Sequence, residues 1–475
     1  MNTRREFLKA AALATGSVLF GGSICAGARR ASRPNIVFIM VDDLGKDYIG
    51  CYGSDKAKTP NIDALAAGGM KFNNAYSMPQ CVPTRTTLLT GQYPFRHGWI
   101  NHYDVPRWAK GCHFDIEQNP CMGKIIKSAG YATCISGKWQ INDFRVQPNL
   151  LRDAGFDECC VWTGFETGNR PSAERYWNPY IHTNEGNRTY EGKFGPDIYN
   201  RAAIDFIHKN KSKPMMVYYP MCLTHGPLTT TPHSGDVKNR TVMVEYMDYL
   251  VGRVVRALDE AGVRKNTILI WTTDNGPAKG KTTENGACEP FVVNCPGSVP
   301  AGVVTDALVD FTDLLPTFAE LSGATMPEGP TFDGKSFAPL ILGKADDSPR
   351  DWIMAMGGGG VQATKTDKGW RVINKTEYRD RVIRDKRYKL YIGTDRKSEK
   401  LIDLKADPQE KVNIIDSDRP EVKAALAKLE KVAASFPKKD ANPKYTPLPL
   451  QDWEKDTESP GTNKANKKRN KRAKR

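Results

Sequence analysis

The sequence predicts an α/β protein: a large central, mostly parallel sheet flanked by helices, followed by a smaller C-terminal α+β domain containing an antiparallel sheet. Three observations carry this. Apolar, β-rich runs alternate with amphipathic helical stretches through the first two thirds of the chain, the pattern of a sheet covered on both faces. Four of those runs stop in polar residues. Past residue 345 the texture changes to short alternating segments suited to antiparallel strands.

In chain order, "NIVFIMV" is a continuous apolar strand ending in Asp42-Asp43. "TPNIDALAAGG" is a helix, with Thr59 at its N-cap, Pro60 in the first turn and a glycine stop. In "QCVPTRTTLLTG" Pro83 fits a first helical turn. Cys81 is therefore expected at an amide-rich N-terminus, a favourable place for an anion. "YATCIS" is a strand running into Gly137-Lys138-Trp139. "DIYNRAAIDFIHKN" is a helix, and "PMMVYYPMCL" a strand leading to Thr224-His225-Gly226-Pro227. "TVMVEYMDYLVGRVVRALDEAG" is a long amphipathic helix that feeds "TILIWTT", a β-branched strand ending in Asp274-Asn275-Gly276.

Asp42/Asp43, Lys138, His225 and Asp274/Asn275 thus stand at four strand ends. In open α/β sheets, ligands bind outside the carboxyl ends of the strands. Read singly, Asp43 or Asn275 is a turn residue. Together the four ends predict one site along the sheet edge.

The catalytic region is expected over 34–345 and the α+β domain over 346–440, containing "RVIRDKRYKLYIG", "KLIDL" and the helix "RPEVKAALAKLEKVAASF". Residues 441–475 are expected to be an extended, basic, disordered tail. The start, 1–28, has the charged, apolar and A-x-A parts of an export signal, and Arg4-Arg5 with Phe7-Leu8-Lys9 resembles the twin-arginine type. The mature protein is expected to be exported, periplasmic or extracellular in a bacterium, with no transmembrane span. The formal charge of +15 is concentrated at the ends, above all in the eight Lys/Arg from Lys464 to Arg475. No nucleic-acid face is expected in the globule. The eleven cysteines are too scattered for a disulfide scaffold or a zinc site. Cys25 leaves with the signal, Cys112 and Cys121 flank a loop they could close by pairing, and most of the cysteines read as buried thiols.

Cys81-Val82-Pro83-Thr84-Arg85, followed by Leu88 and Thr90-Gly91, resembles the C-x-P-x-R…T-G signature of the type I, formylglycine-dependent, arylsulfatase-like sulfatases. The resemblance runs from Pro34 to Ile414 through "VDDLG", "GKW", "THGPL", "TTDNG", "DLLPTFAELSGA", "DGKSFAPL" and "RDKRYKL…LIDLKADPQEKVNI". It implies an alkaline-phosphatase-like fold and hydrolysis of sulfate esters. It implies that a maturation enzyme oxidises Cys81 to formylglycine (3-oxoalanine), whose hydrate attacks sulfur and then releases sulfate. Asp42, Asp43, Asp274 and Asn275, with Cys81 facing the ion, match the family's metal ligands. Hard oxygen donors suit Ca2+, with Mg2+ the second choice. Arg85 would hold the alkoxide or the carboxylates. Lys138 and His225 match sulfate-contacting residues, His225 also serving to protonate the leaving oxygen. Lys279, five residues before Glu284, has the family spacing of a further sulfate lysine; Lys281 is the alternative.

Two departures stand out. Gln140 replaces the histidine of G-K-W-H, so it can bind but not usefully accept a proton. Either water or another base such as His97 or His102 takes that task, or turnover is slow. The segment Glu284-Asn285-Gly286-Ala287-Cys288-Glu289-Pro290 lacks the family arginine, which is expected to alter packing.

Competing readings are a phosphate or phosphonate ester hydrolase of the same superfold and a catalytically silent binder of sulfated glycans. A sulfated carbohydrate substrate is suggested by Trp162, Arg170, Arg175, Tyr176, Trp177, Tyr180 and His182, which could stack on sugars and pair with anions or simply form a packed insertion. The basic tail could tether an anionic polymer or be merely solvated.

Overall fold

A computed structural model describes residues 33–102 and 112–455. The expected export signal and the basic end of the tail lie outside the described residues. Ten strands form one sheet. In chain order they are β1 (Asn35–Val41), β2 (Met70–Tyr76), β3 (Ala132–Lys138), β4 (Glu158–Trp162), β5 (Tyr180–Thr183), β6 (Gly186–Thr189), β7 (Met215–Pro220), β8 (Thr267–Thr273), β9 (Cys288–Asn294) and β10 (Val303–Asp310). They lie in the order β10-β2-β9-β8-β1-β7-β3-β4-β5-β6.

β1 is central and pairs in parallel with β7 and β8. Only β9 and β5 run against the other strands. β9 reverses because the chain leaving β8 returns beside it without the long helical crossover that parallel pairing needs. The apolar run of β1 is continuous because both of its faces are covered. Ile36, Phe38 and Met40 enter one core with residues of the helices Cys81–Thr90 and Leu314–Ser322. Val37, Ile39 and Val41 enter the other with residues of the helices Gly195–Asn210 and Arg240–Glu260.

The C-terminal part adds β11 (Ile353–Met356), β12 (Val361–Thr366), β13 (Gly369–Asn374), β14 (Arg381–Arg384), β15 (Tyr388–Ile392) and β16 (Ser398–Asp403). β11-β14-β15-β16 form an antiparallel sheet backed by the helix Pro420–Ala434, and β12 and β13 form a separate hairpin.

All ten described cysteines are free. Cys112 and Cys121 do not pair; the Cys121 thiol instead lies 3.4 Å from the Ala154 carbonyl. No helix among the described residues is long and apolar enough to cross a membrane.

Candidate active site

The ladder of the central sheet continues for a residue or two past the strands, and this brings their polar ends together. Asp42 N donates to Leu223 O at 2.8 Å, Thr224 N to Asp42 O at 2.9 Å, and Asp274 N to Val41 O at 2.9 Å. Asp43 turns out of this ladder with φ +55°. Its amide donates to Asp274 Oδ1 at 3.1 Å and its Oδ1 accepts from Asn275 Nδ2 at 2.7 Å. Lys138, the last residue of β3, places Nζ 2.6 Å from Asp42 Oδ2, with both side chains buried.

The helix Cys81–Thr90 meets this edge with its first residue. Cys81 Sγ lies 3.4 Å from Asp42 Oδ1, 3.6 Å from Asp43 Oδ1 and 3.1 Å from Lys279 Nζ. One turn on, Arg85 Nη2 bonds Asp274 Oδ2 at 2.8 Å, and Nη1 lies 3.3 Å from the Lys138 carbonyl. Lys279 Nζ is 3.1 Å from both oxygens of Asp43 and 3.2 Å from His225 Nε2, which is itself 3.2 Å from Asp43 Oδ2. The four strand ends, Cys81, Arg85 and Lys279 therefore form one cluster. Lys281 is exposed and lines a neighbouring cavity of about 650 Å³.

Three carboxylates and three cations share this space, and the balance differs at each. Burial alone would raise the Asp42 pKa, but Lys138 foremost, then His225 and Arg85, hold it well below the usual carboxylate range. Asp274 is raised by burial and by the charge of Asp42. Burial lowers the His225 imidazole to about 4. Burial and then Asp274 and Asp42 push the Cys81 thiol well up, so an unmodified cysteine here is a neutral thiol and a poor nucleophile.

The residues fit a hard cation. Ligand atoms of Asp42, Asp43, Cys81 and His225 lie within 4.8 Å of one another. Asn275 Oδ1 is buried without a hydrogen-bond partner, an oxygen whose burial an ion would offset. Asp274 stands beside that group with its carboxylate held by Arg85 and the Asp43 amide.

Gln140 is buried with φ +64°, and its Oε1 has no hydrogen-bond partner. It packs against Gly164, where an added Cβ would come within 3.0 Å of the glutamine Cγ. His97 does not supply a replacement base. Its Nδ1 accepts from Trp99 N at 3.0 Å, its Nε2 lies 3.1 Å from Thr87 Oγ1, and burial lowers its pKa to about 3. His102 ends the described stretch 33–102.

Several aromatics of the insertion are packing residues. Trp162 is buried and donates to Ser172 O, His182 stacks on Phe144 at 4.0 Å, and buried Tyr176 donates to the Cys222 and His225 carbonyls at 2.9 and 2.5 Å. Two arginines bear on the site. Arg175 reaches His225 and Gly226. Arg240 Nη1 donates to Asp43 O at 2.8 Å and Thr224 O at 3.0 Å, tying the two loops together. The only sequence signal for Arg240 is that a cation on the first residue of a helix opposes its dipole. Glu284 anchors the Lys279 loop from behind: its carboxylate bonds Arg384 of β14 and Lys389 of β15, each at 2.9 Å, and also Tyr76.

The chain matches a known family and several known proteins. The family described as "Sulfatase" matches residues 34–324. N-acetylgalactosamine-6-sulfatase of Homo sapiens is 31% identical over 363 residues, covering 66% of this chain and 67% of that protein. The Canis lupus familiaris enzyme of the same name is 30% identical, covering 65% and 66%. The chain thus spans about two thirds of the length of these mammalian relatives. N-acetylgalactosamine-6-O-sulfatase of Bacteroides thetaiotaomicron is 28% identical over 490 residues, covering 84% of this chain and 93% of that protein. Among solved structures, Ps i-CgsB in complex with k-i-k-neocarrahexaose superposes with TM-score 0.70 at 26% identity, covering 88% of this chain and 95% of that one.

Proposed function

We propose that this chain, which belongs to the sulfatase family, is exported and hydrolyses sulfate esters on a sulfated carbohydrate. The observation that carries the reading is the position of Cys81: first residue of a buried helix, 3.1 Å from Lys279 Nζ and 3.4 Å from Asp42, in a pocket where its own thiol is a poor nucleophile. A residue so placed and so poorly suited to act as it stands fits conversion to formylglycine by an oxidising maturation enzyme. That group supplies a geminal diol as nucleophile, with a second hydroxyl for releasing sulfate.

Asp42, Asp43, Asp274 and Asn275, with residue 81 facing the ion, would hold Ca2+ in preference to Mg2+; the ion supplies charge for a sulfate oxygen and acidifies the diol. Lys138 and Lys279 neutralise sulfate from two sides, and Lys279 rather than Lys281 fits that role by its distance to Cys81. Arg85 fixes Asp274. His225 Nε2, beside Asp43 Oδ2 and Lys279 Nζ, would in its protonated form pass a proton to the leaving oxygen and return to the neutral imidazole. Gln140 contributes an amide at the substrate wall.

The carbohydrate assignment is supported by the names of the Bacteroides relative and of the Ps i-CgsB complex. In this reading 34–345 is the catalytic domain and 346–440 the domain that braces it through Glu284. The test is the mass of the tryptic peptide Phe72–Arg85 from protein purified from its native host, followed by assay on sulfated sugars. An aldehyde at residue 81 with sulfate release is expected. An unmodified thiol and no release would leave a silent glycan binder, which Gln140 would then mark.

A further inference from the structure

Arg175 has the geometry of a recognition residue. Its guanidinium lies over Trp162 at 4.6 Å and near Tyr176 at 5.4 Å, so its plane is fixed by two rings that are themselves buried. Tyr176 is in turn pinned to the His225 carbonyl. Nη2 lies 2.9 Å from His225 Nδ1 and also donates to the Gly226 carbonyl. Nε is buried without a hydrogen-bond partner. No carboxylate of the described residues pairs with Arg175, whereas the buried Arg85, Arg350 and Arg381 each bind an aspartate. Holding a desolvated guanidinium rigid without an acid is costly unless an anion arrives to use it.

The position decides which anion. Lys138 and Lys279 approach Cys81 and the carboxylates, so they serve the sulfate that is removed. Arg175 stands behind His225, on the side away from Asp43 and Lys279, because it meets Nδ1 while they meet Nε2. If His225 faces the leaving oxygen, the departing sugar lies on the His225 side of the site, and Arg175 is a cation bordering that side. We propose that Arg175 determines specificity by binding a second anionic group, a sulfate or a uronate carboxylate, on the leaving sugar or its neighbour. The substrate class is thus a multiply charged glycan. The inference rests on the sulfatase reading for the direction of the substrate.

The test reads binding rather than turnover. In a Cys81→Ser background with calcium supplied, calorimetry compares three ligands: N-acetylgalactosamine 6-sulfate, its 4,6-disulfate, and a disaccharide joining a hexuronate to the 6-sulfate. Arg175→Gln is expected to weaken binding of at least one doubly anionic ligand about tenfold or more, and of the monosulfate by less than about twofold. Whichever doubly charged ligand loses affinity identifies the second anion as sulfate or carboxylate. Arg175→Lys, which keeps the charge but not the fork, should retain part of the preference and guards against a folding defect. An equal loss on all three ligands would make Arg175 a support for His225 only and overturn the proposal. No loss on any, or no binding by the parent protein, would also overturn it. Selective binding without turnover by the matured wild type would keep Arg175's role and sink the hydrolase reading instead.

Discussion

Lys138 Nζ and Asp42 Oδ2 stand 2.6 Å apart, with both side chains shielded from solvent at the bottom of the site. Removing the cation leaves a buried carboxylate beside two others. In calcium-free protein, Lys138→Ala should cost about 3–5 kcal/mol of stability, read by chemical denaturation. On the sulfatase reading it should also lower kcat/KM at least a hundredfold.

Chelation offers a second check. The acids of the site and the orphaned Asn275 oxygen are each better served by an ion than without one. Stripping divalent cations should abolish activity and lower the unfolding temperature. Calcium should restore both at lower concentration than magnesium, whose octahedral demands suit a donor set of this kind less well. Asn275→Ala should weaken calcium binding measured directly by calorimetry.

Glu289 gives a pH signature. Its carboxyl sits fully buried between Ser77, at 2.9 Å, and Thr273, at 2.6 Å, and burial raises its pKa to about 8. Between the ordinary value of 4.5 and about 8, the folded state holds a proton that the unfolded chain releases. This contribution is fully present below pH 4.5 and is lost as pH rises through 8. Glu289→Gln, which mimics the protonated form, should gain on the wild type by about 1–3 kcal/mol at pH 8 and show little difference at pH 5. Thermal unfolding across that range reads it.

Gln140 is the point at which the chain departs from the family's histidine, and its Oε1 has no partner to lose. A histidine accepts the same left-handed backbone readily. Gln140→His should raise kcat at least tenfold, because it supplies a proton acceptor where the amide has none. Steady-state kinetics on any cleaved sulfate ester would show it.

The parts of the site legible in the sequence are those set by strand ends. Short apolar, β-rich runs bounded by turn residues read as strands, and residues at or just past their ends lie at the carboxyl edge, so Asp42, Lys138, His225 and Asp274 fall into one group from the order of residues. Cys81 is legible for a similar reason, since Pro83 marks a first helical turn. Contacts between distant segments are not. Nothing local in "ERYW" says that Arg175 reaches His225, fifty residues on. His97 reads as available because sequence does not show burial, yet Thr87 and the Trp99 amide already occupy its ring. Cys112 and Cys121 read as able to pair because sequence spacing carries no direction. The reversal of β9 is hidden too, since an apolar strand reads alike in either direction.

Glu284 carries a consequence for timing. It holds the Lys279 loop through Arg384 and Lys389, one hundred and one hundred and five residues further along the chain. During synthesis the cysteine and all four strand ends leave the ribosome before those partners exist. The loop beside Cys81 is tied early to Pro79 and Tyr76, but its buried carboxylate gains its two cations only once β14 and β15 have been made. Cys81 is fully enclosed in the finished protein, so an enzyme that altered it would have to act before this assembly is complete. The late-arriving sheet acts as a clasp on the segment that carries Lys279.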